Sequence, residues 1–208
     1  MTADMSTPRE RRAQNTRQAI LDAARELVSE RGPYGLSLRE VARRIDYSPA
    51  GLYEYFGSKD ELLAAVLEEG FARFGDYLLR VPQDLPPRRY LSGLGMAYLR
   101  FARENPQHFM LIFNSPGVCD APTTGELVPH ATYDALVSAV RRCIEAGDFP
   151  ASYPEADLVF LAWSLVHGMA TLQLTQLEKI DYPWEAAAEH MLDAWYEGML
   201  LLARPNQP

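Results

Sequence analysis

The stretch that decides how this chain is read is SLREVARRIDYSPAGLYEYFGSKDELLAAVLEEGF, residues 37–71. Ser37 is a good helix N-cap, with Glu40 three residues on as its capping-box partner. Leu38, Val41 and Ile45 then give the run that follows one apolar face. Ser48 caps the next helix, with Pro49 at its first position, where a missing N–H costs nothing. That helix is expected to reach about Phe56. Ser58 caps a further one, and Asp60 and Glu61 sit in its first turn, where the helix dipole favours acids. Its apolar stripe is Leu62, Leu63, Val66, Leu67, Phe71, Phe74 and Leu78.

The middle run is the unusual one. Tyr53 and Tyr55 stand two residues apart, so a helix cannot aim both at the same core. Leu52 and Phe56, four apart, share the face that should be buried. Ala50, Gly51 and Tyr55 lie away from it, and Tyr53 sits at its edge.

Upstream, Ile20, Leu21, Ala24, Leu27 and Val28 form one stripe on a helix expected from Arg12 to Arg31, which Gly32-Pro33 stops. Three helices in the first ~60 residues, the last two joined by a short turn, make a helix-turn-helix. Its last helix needs a slim or polar tip to enter a major groove and an apolar opposite face to dock on the other two. SPAGLYEYF has both. Ala50 and Gly51 allow close backbone approach, and phenolic hydroxyls suit phosphate oxygens.

Net charge is −8, yet it is unevenly spread. Through residue 60 there are 10 Lys/Arg against 9 Asp/Glu; beyond it there are 10 against 19. Local field rather than total charge steers nucleic acid. Arg9, Arg11, Arg12 and Arg17 crowd the N-terminus, either as a solvated, frayed end or as an arm reaching a minor groove.

Beyond the Pro-rich break near residue 81, helices are expected at 88–104, 106–113, 125–146, 154–178 and 184–203. No run alternates as a strand would, so the fold class is all-α, with about nine helices. Residues 1–58 read as the helix-turn-helix domain with a basic N-terminal arm. Residues 59–208 read as a second helical domain, linked by a helix at 59–80. In 184–203, Trp184, Ala188, Met191, Leu192, Trp195 and Met199 share a face. Helix 154–178 is apolar nearly all round between Leu158 and Leu172, and such a helix must be covered on all sides. This suggests a dimer interface as well as a core, with Leu158, Leu165, Leu172, Met191, Trp195 and Met199 as candidates.

Cys119 and Cys143 are 24 positions apart and form no metal or redox motif, which fits a reducing cytoplasm. The N-terminus lacks the apolar core of a signal peptide. LVFLAWSLVHGMATLQL is interrupted by Ser164, His167 and Gln173 and falls short of a membrane span. No membrane partner, metal or cofactor is expected. His108, His130, His167 and His190 are scattered, and no H-E-x-x-H, G-x-S-x-G or Gly-rich phosphate loop occurs. Cys143, His130 and Asp134 are a catalytic set by composition only. The chain does not read as an enzyme.

Residues of the quoted stretch resemble the DNA-binding domain of the TetR family of bacterial transcription regulators. The likeness covers about residues 14–75, and its L-Y-x-Y/H-F-x-S-K-x-x-L core is highly specific. It implies an all-helical homodimer with an N-terminal DNA-binding domain and a C-terminal domain holding a ligand pocket. The last two helices would pair with the partner's in a four-helix bundle. By motif, Ser37 would contact phosphate and Arg39 the groove or a phosphate. Ser48, Ala50 and Gly51 would face bases, and Tyr53, Tyr55 and Lys59 would grip phosphates. Asp46-Tyr47 departs from the family's usual Gly-Val: Asp tolerates the left-handed turn, and Tyr47 should either cap the core or add a third exposed phenol.

WSLVHG, Trp163 to Gly168, is similar to a W-x-x-x-H-G subgroup of the family's C-terminal domains. Trp163 and His167 share a helix face, and Gly168 permits close helix approach. His167 would line an effector pocket, a dimer seam or a packed core. Tyr98, Phe101, Phe109, Met110, Phe113 and Tyr133 would line an apolar cavity or serve as plain core. The expectation is therefore a cytoplasmic DNA-binding regulator, most readily a repressor released from an operator by a small, largely hydrophobic effector. The alternative is a helical ligand-binding or interaction module that does not read DNA.

Overall fold

A T-x-x-E capping box opens the first helix earlier than its apolar stripe suggests. Thr7 Oγ1 accepts the Glu10 N–H at 3.2 Å, and the Thr7 N–H donates to Glu10 Oε2 at 2.6 Å. With Pro8 at the first helical position, α1 runs Pro8–Arg31. Arg9 and Arg11 are thus helical, four residues of helix preceding the expected start at Arg12. The computed structural model describes residues 7–114 and 130–204. A single 3₁₀ turn at Pro33–Gly35 follows α1. Next come α2 (Leu38–Arg44), α3 (Pro49–Leu52), α4 (Lys59–Leu79), α5 (Pro87–Glu104), α6 (Pro106–Asn114), α7 (His130–Glu145), α8 (Glu155–Leu174) and α9 (Trp184–Ala203). No strand occurs among the described residues.

The chain forms two compact units. Among the described residues, one comprises 7–71 with 107–114 and the other 72–106 with 130–204. More than half of α4, through Phe71, and α6 therefore group with the helix-turn-helix, beyond the 58/59 boundary expected from the sequence.

In the first unit, Ile20, Ala24 and Leu27 of α1, Val41 and Ala42 of α2, Leu52 of α3 and Leu62 and Val66 of α4 are all fully buried. Ile45, expected in that core, is only half-buried, and Ala42 takes its place. Arg44 reaches across from α2 to Glu26 and Glu30 on α1. Phe109 of α6 is fully buried and packs on Phe113 at 5.2 Å between ring centroids. Buried His108 brings Nε2 within 3.4 Å of Arg25 Nη1, and Arg25 also pairs with Asp22 and Glu69. One guanidinium thus ties α1, α4 and α6.

The second unit is built on α5, α7, α8 and α9. Tyr90, Leu91 and Leu94 meet Val140, Cys143, Phe149, Leu158, Val159 and Tyr196 in one core. Tyr196 donates to Asp148 Oδ2 at 2.6 Å, and Arg88 lies 4.9 Å over its ring, pinning the α7–α8 connection to α9. Gly95 lets α5 approach closely, since a Cβ there would meet Leu192 at 3.1 Å and Val166 at 3.3 Å.

Two expectations are corrected here. Helix α8 stops at Leu174 rather than 178, because Thr175 turns its hydroxyl back onto the Thr171 carbonyl and leaves the helical region. Gly168 does not serve a close approach within the chain, since a Cβ on it would meet nothing within 4 Å. Residues 125–129 of the expected 125–146 helix, and Cys119, lie outside the described residues.

By length and composition α8 is long and apolar enough to cross a membrane, contrary to the sequence reading. One face of it, Leu158, Val159, Ala162, Val166 and Ala170, is built into the second unit's core.

Candidate nucleic-acid interface and a half-buried histidine network

Helix α3 is held from both ends. Ser48 Oγ accepts the Gly51 N–H at 3.0 Å, a side-chain cap on a helix only four residues long. Past Leu52 the chain tightens instead of continuing: Tyr55 N–H donates to Leu52 O at 2.9 Å and Phe56 N–H to the same carbonyl at 3.0 Å. The expected regular helix to Phe56 is therefore one α-turn followed by hydrogen-bonded turns. Leu52 and Phe56 anchor it, at 0% and 1% exposure. Burying two such side chains contributes about 2–3 kcal/mol each. Arg17 closes the end of this core, its guanidinium 5.1 Å over the Phe56 ring.

The turn before α3 is a left-handed helix stop. Asp46 adopts φ 51°, and the Tyr47 N–H donates back to the Ala42 carbonyl at 2.9 Å. This is the bond pattern of a Schellman cap, with Asp where glycine is usual.

The remaining candidates sit at the exposed end so formed. Ser37 is exposed and makes no capping hydrogen bond; its expected partner Glu40 is taken by Arg43 at 2.7 Å. That carboxyl is held below its ordinary range chiefly by the Arg43 hydrogen bond. The Ser37 hydroxyl, which also leaves the Glu40 backbone N–H uncapped, lies at an exposed position. Arg39 and Ala50 are exposed, and Tyr53 is 58% exposed. Tyr55 is half-buried and meets Tyr47 edge to face, centroids 6.3 Å apart. Gly51 is half-buried beneath Tyr47. Lys59 donates to the Tyr34 carbonyl at 3.1 Å, which aims its ammonium along the same end of the unit.

Sequence reasoning missed Tyr34, 72% exposed beside that ammonium, and the packing of Tyr47. An aromatic in a Gly-Pro-Tyr-Gly connection was the available signal for the first. Hydroxyls, an ammonium and a guanidinium around a side-chain-poor helix tip suit a polyanion: donors for phosphate oxygens, and a bare surface for groove entry.

In the second unit, Tyr98, Trp163 and His167 come together. The Tyr98 hydroxyl lies 2.8 Å from His167 Nδ1 and accepts from Trp163 Nε1 at 3.4 Å. Thr171 Oγ1 is 3.5 Å from His167 Nε2. Burial pushes the imidazole below its ordinary pKa and the Tyr98 phenol above its own. A neutral imidazole accepting at Nδ1 and carrying its proton at Nε2 fits these contacts.

The other expected pocket residues do not join this cluster. Phe101 packs with Phe74 and Tyr77, Phe109 and Phe113 belong to the first unit, and Tyr133 is 38% exposed. Leu158, expected at a dimer face, is fully buried in the chain's own core and has no surface to offer a partner. Cys143 is buried too, and burial pushes its thiol up to about 11, the wrong direction for a nucleophile. No metal-binding cluster occurs among the described residues.

A capped three-helix head with a donor-rich tip, followed by a separate helical unit, defines the class of helix-turn-helix proteins with a helical C-terminal domain. Residues 20–66 match the bacterial regulatory proteins of the tetR family, and residues 91–195 match the tetracyclin repressor-like C-terminal domain. The chain belongs to the TetR family.

Among curated proteins it is similar to an HTH-type transcriptional regulator of Mycobacterium tuberculosis, 27% identical over 134 residues, covering 62% of this chain and 57% of that protein. It is also similar to the HTH-type transcriptional regulator UidR of Escherichia coli, 41% identical over 66 residues, 30% of this chain and 34% of that one. The matched segments thus span between a third and three-fifths of these relatives. A solved structure of a Rhodococcus sp. RHA1 protein of unknown function superposes with TM-score 0.72 at 25% identity, covering 96% of this chain and 100% of the other.

Proposed function

We propose that this protein is a cytoplasmic, DNA-binding transcriptional regulator without catalytic activity. In this reading it is a homodimer that represses from an operator and is released by a small, largely apolar effector. The observation that carries the DNA-binding part is the tip of α3. Leu52 and Phe56 are fully committed to the core, while Ser48, Ala50, Tyr53 and Tyr55 stand around Gly51, which the Tyr47 ring partly covers. Ser48 and Ala50 face bases together with Gly51. Tyr53, Tyr55, Lys59, Ser37 and Arg39 hold phosphates and set the register.

Dimerisation is supported by two matching stripes. Leu161, Leu165, Gly168 and Leu172 on α8, and Met191, Trp195, Gly198 and Leu202 on α9, each follow i, i+4, i+7, i+11. All eight are exposed or half-buried, and both glycines face open space. Small residues at the third place of each stripe admit a partner helix closely. A dimer of this kind presents two α3 helices to successive major grooves, about 34–36 Å apart.

The effector reading rests on the Tyr98–Trp163–His167 network, polar groups placed where the surrounding side chains are apolar. An effector that engages it acts through α4 on the spacing of the two heads. Coupling of this kind is worth about 1–3 kcal/mol.

The test is binding of purified protein to DNA upstream of its own coding sequence at several salt concentrations, with and without apolar compounds that raise its thermal midpoint. Salt-sensitive, sequence-selective binding that a stabilising compound weakens is expected. A folded protein that ignores DNA at low salt is instead a helical binding module, and the proposal falls.

A further inference from the structure

Tyr47 occupies a place that belongs, in register, to another side chain. Tyr47 in the turn before α3, Gly51 within α3 and Tyr55 in the turns after it are brought together in space, not by one helical register. A Cβ built on Gly51 would lie 2.6 Å from Tyr47 Cε1 and 3.3 Å from Cδ1. Contacts under 3.0 Å of this kind do not survive without movement, and Cε1 belongs to a rigid ring rather than to a flexible chain end. The ring is held on both sides. Behind it, the Tyr47 N–H is tied to Ala42 O by the left-handed turn at Asp46; in front, the Tyr55 ring meets it edge to face at 6.3 Å. Tyr47 still keeps 38% of its surface exposed, and every residue from Asp46 to Ala50 is exposed as well. Glycine at position 51 is therefore what the Tyr47 ring requires, not merely what a close approach to DNA favours.

We infer that Tyr47 is a specificity-determining residue of the helix-turn-helix, its phenol standing in for the side chain that Gly51 lacks and reading base edges in the major groove. This rests on the DNA-binding function proposed above. A side chain at 51 would project directly from α3. The Tyr47 phenol instead comes in from the preceding turn and lies across the glycine; its hydroxyl shares a hydrogen bond with the Tyr55 phenol and, able both to donate and to accept, keeps one capacity for a base edge. Tyr55 is the positioning partner that keeps the ring from swinging off. The third helix, with only Ala50 and Ser48 beside the glycine, offers few base-edge hydrogen bonds of its own, and the Tyr47 hydroxyl supplies one.

The experiment is selection of preferred duplexes from a randomised pool by the full-length wild type, then affinity measurement on single base-pair variants of the winner. Tyr47→Val and Tyr47→Phe are carried in parallel, with thermal midpoints recorded for each. Both substitutions are expected to change the ranking at one or two adjacent base pairs, by about five- to a hundredfold. Gly51→Ala is expected to impair binding beside Tyr47 and to be tolerated beside Tyr47→Val.

A merely structural Tyr47 lowers the midpoint and weakens all duplexes equally, and that result overturns the inference. So does either folded variant that keeps the wild-type ranking. Tyr47→Phe retains the ring on Gly51, so it decides the matter even if Tyr47→Val fails to fold. A wild type that selects no sequence overturns both this inference and the proposed function. Selective wild type with unchanged variants overturns this one alone.

Discussion

Lys59 Nζ lies 3.1 Å from the carbonyl oxygen of Tyr34, a residue 25 positions earlier in the chain. The bond spans from the first residue of α4 to the loop before α2, and it fixes an ammonium that would otherwise wander on four methylenes. Two further donors of that ammonium remain for an anion. Lys59→Met should therefore weaken binding to every DNA sequence alike and reduce the slope of log affinity against log salt by about 1. A salt titration by fluorescence anisotropy reads both effects, and an unchanged slope would remove Lys59 from the phosphate contacts.

Ser48 carries a cap that α3 has little means to replace. A four-residue helix has almost no internal hydrogen bonding, so the Gly51 N–H depends on the Ser48 hydroxyl. Ser48→Ala should cost about 1 kcal/mol of stability, and Ser48→Asp should retain the cap. Denaturant unfolding reads the first effect. The aspartate variant, with its added negative charge, should keep stability yet lose DNA affinity.

His167 gives the second unit a pH dependence with a definite sign. Burial lowers its pKa below the ordinary 6.5, so the unfolded chain binds the proton more readily than the folded one. Its contribution to stability is full above pH 6.5 and is lost as pH falls through that value toward the lowered folded pKa. The thermal midpoint of the wild type should drop over that interval, and His167→Gln should flatten the drop. A His167→Gln profile parallel to the wild type below pH 6.5 would assign the slope to other groups.

Helix α8 carries both a core position and a position on the proposed dimer face. Leu158→Ala should destabilise by about 2–5 kcal/mol, because the side chain is fully enclosed. Leu172, 47% exposed, should behave oppositely: Leu172→Glu should leave monomer stability nearly intact and shift the molecule from dimer to monomer. Sedimentation velocity distinguishes the two, and a dimer that tolerates Leu172→Glu would place the seam elsewhere.

Much of this molecule was legible before any coordinates. Leu52 and Phe56, four apart between a Ser-Pro cap and a Ser-Lys restart, declare a short docked helix, and periodicity marks α4, α5, α6 and α9 to within about a residue, though α1 starts four residues earlier and α8 ends four residues sooner than expected. The errors fell where two chemically equivalent partners compete. Ser37 and Glu40 have capping-box spacing, yet Arg43 one turn further on offers Glu40 a charge-assisted bond, which is stronger than the one from a neutral backbone N–H. Thr7 and Glu10 have the same spacing with no arginine a turn beyond Glu10, and there the box forms. Leu158 and Leu172 belong to one apolar helix whose circumference does not say which side its own chain covers.

By itself, then, the sequence determined the helices, the docked α3 and the class of protein, because caps, stops and 3.6-residue periodicity are local and act within a turn or two. The left-handed turn at Asp46 was legible too, but the tertiary structure alone decided where the Tyr47 ring lies and how the aromatic residues split between units. Only there does the Tyr47 ring come to rest on Gly51, His108 meet Arg25 and His167 meet Tyr98. These pairings depend on how rigid helices are brought side by side, and local spacing carries no record of that.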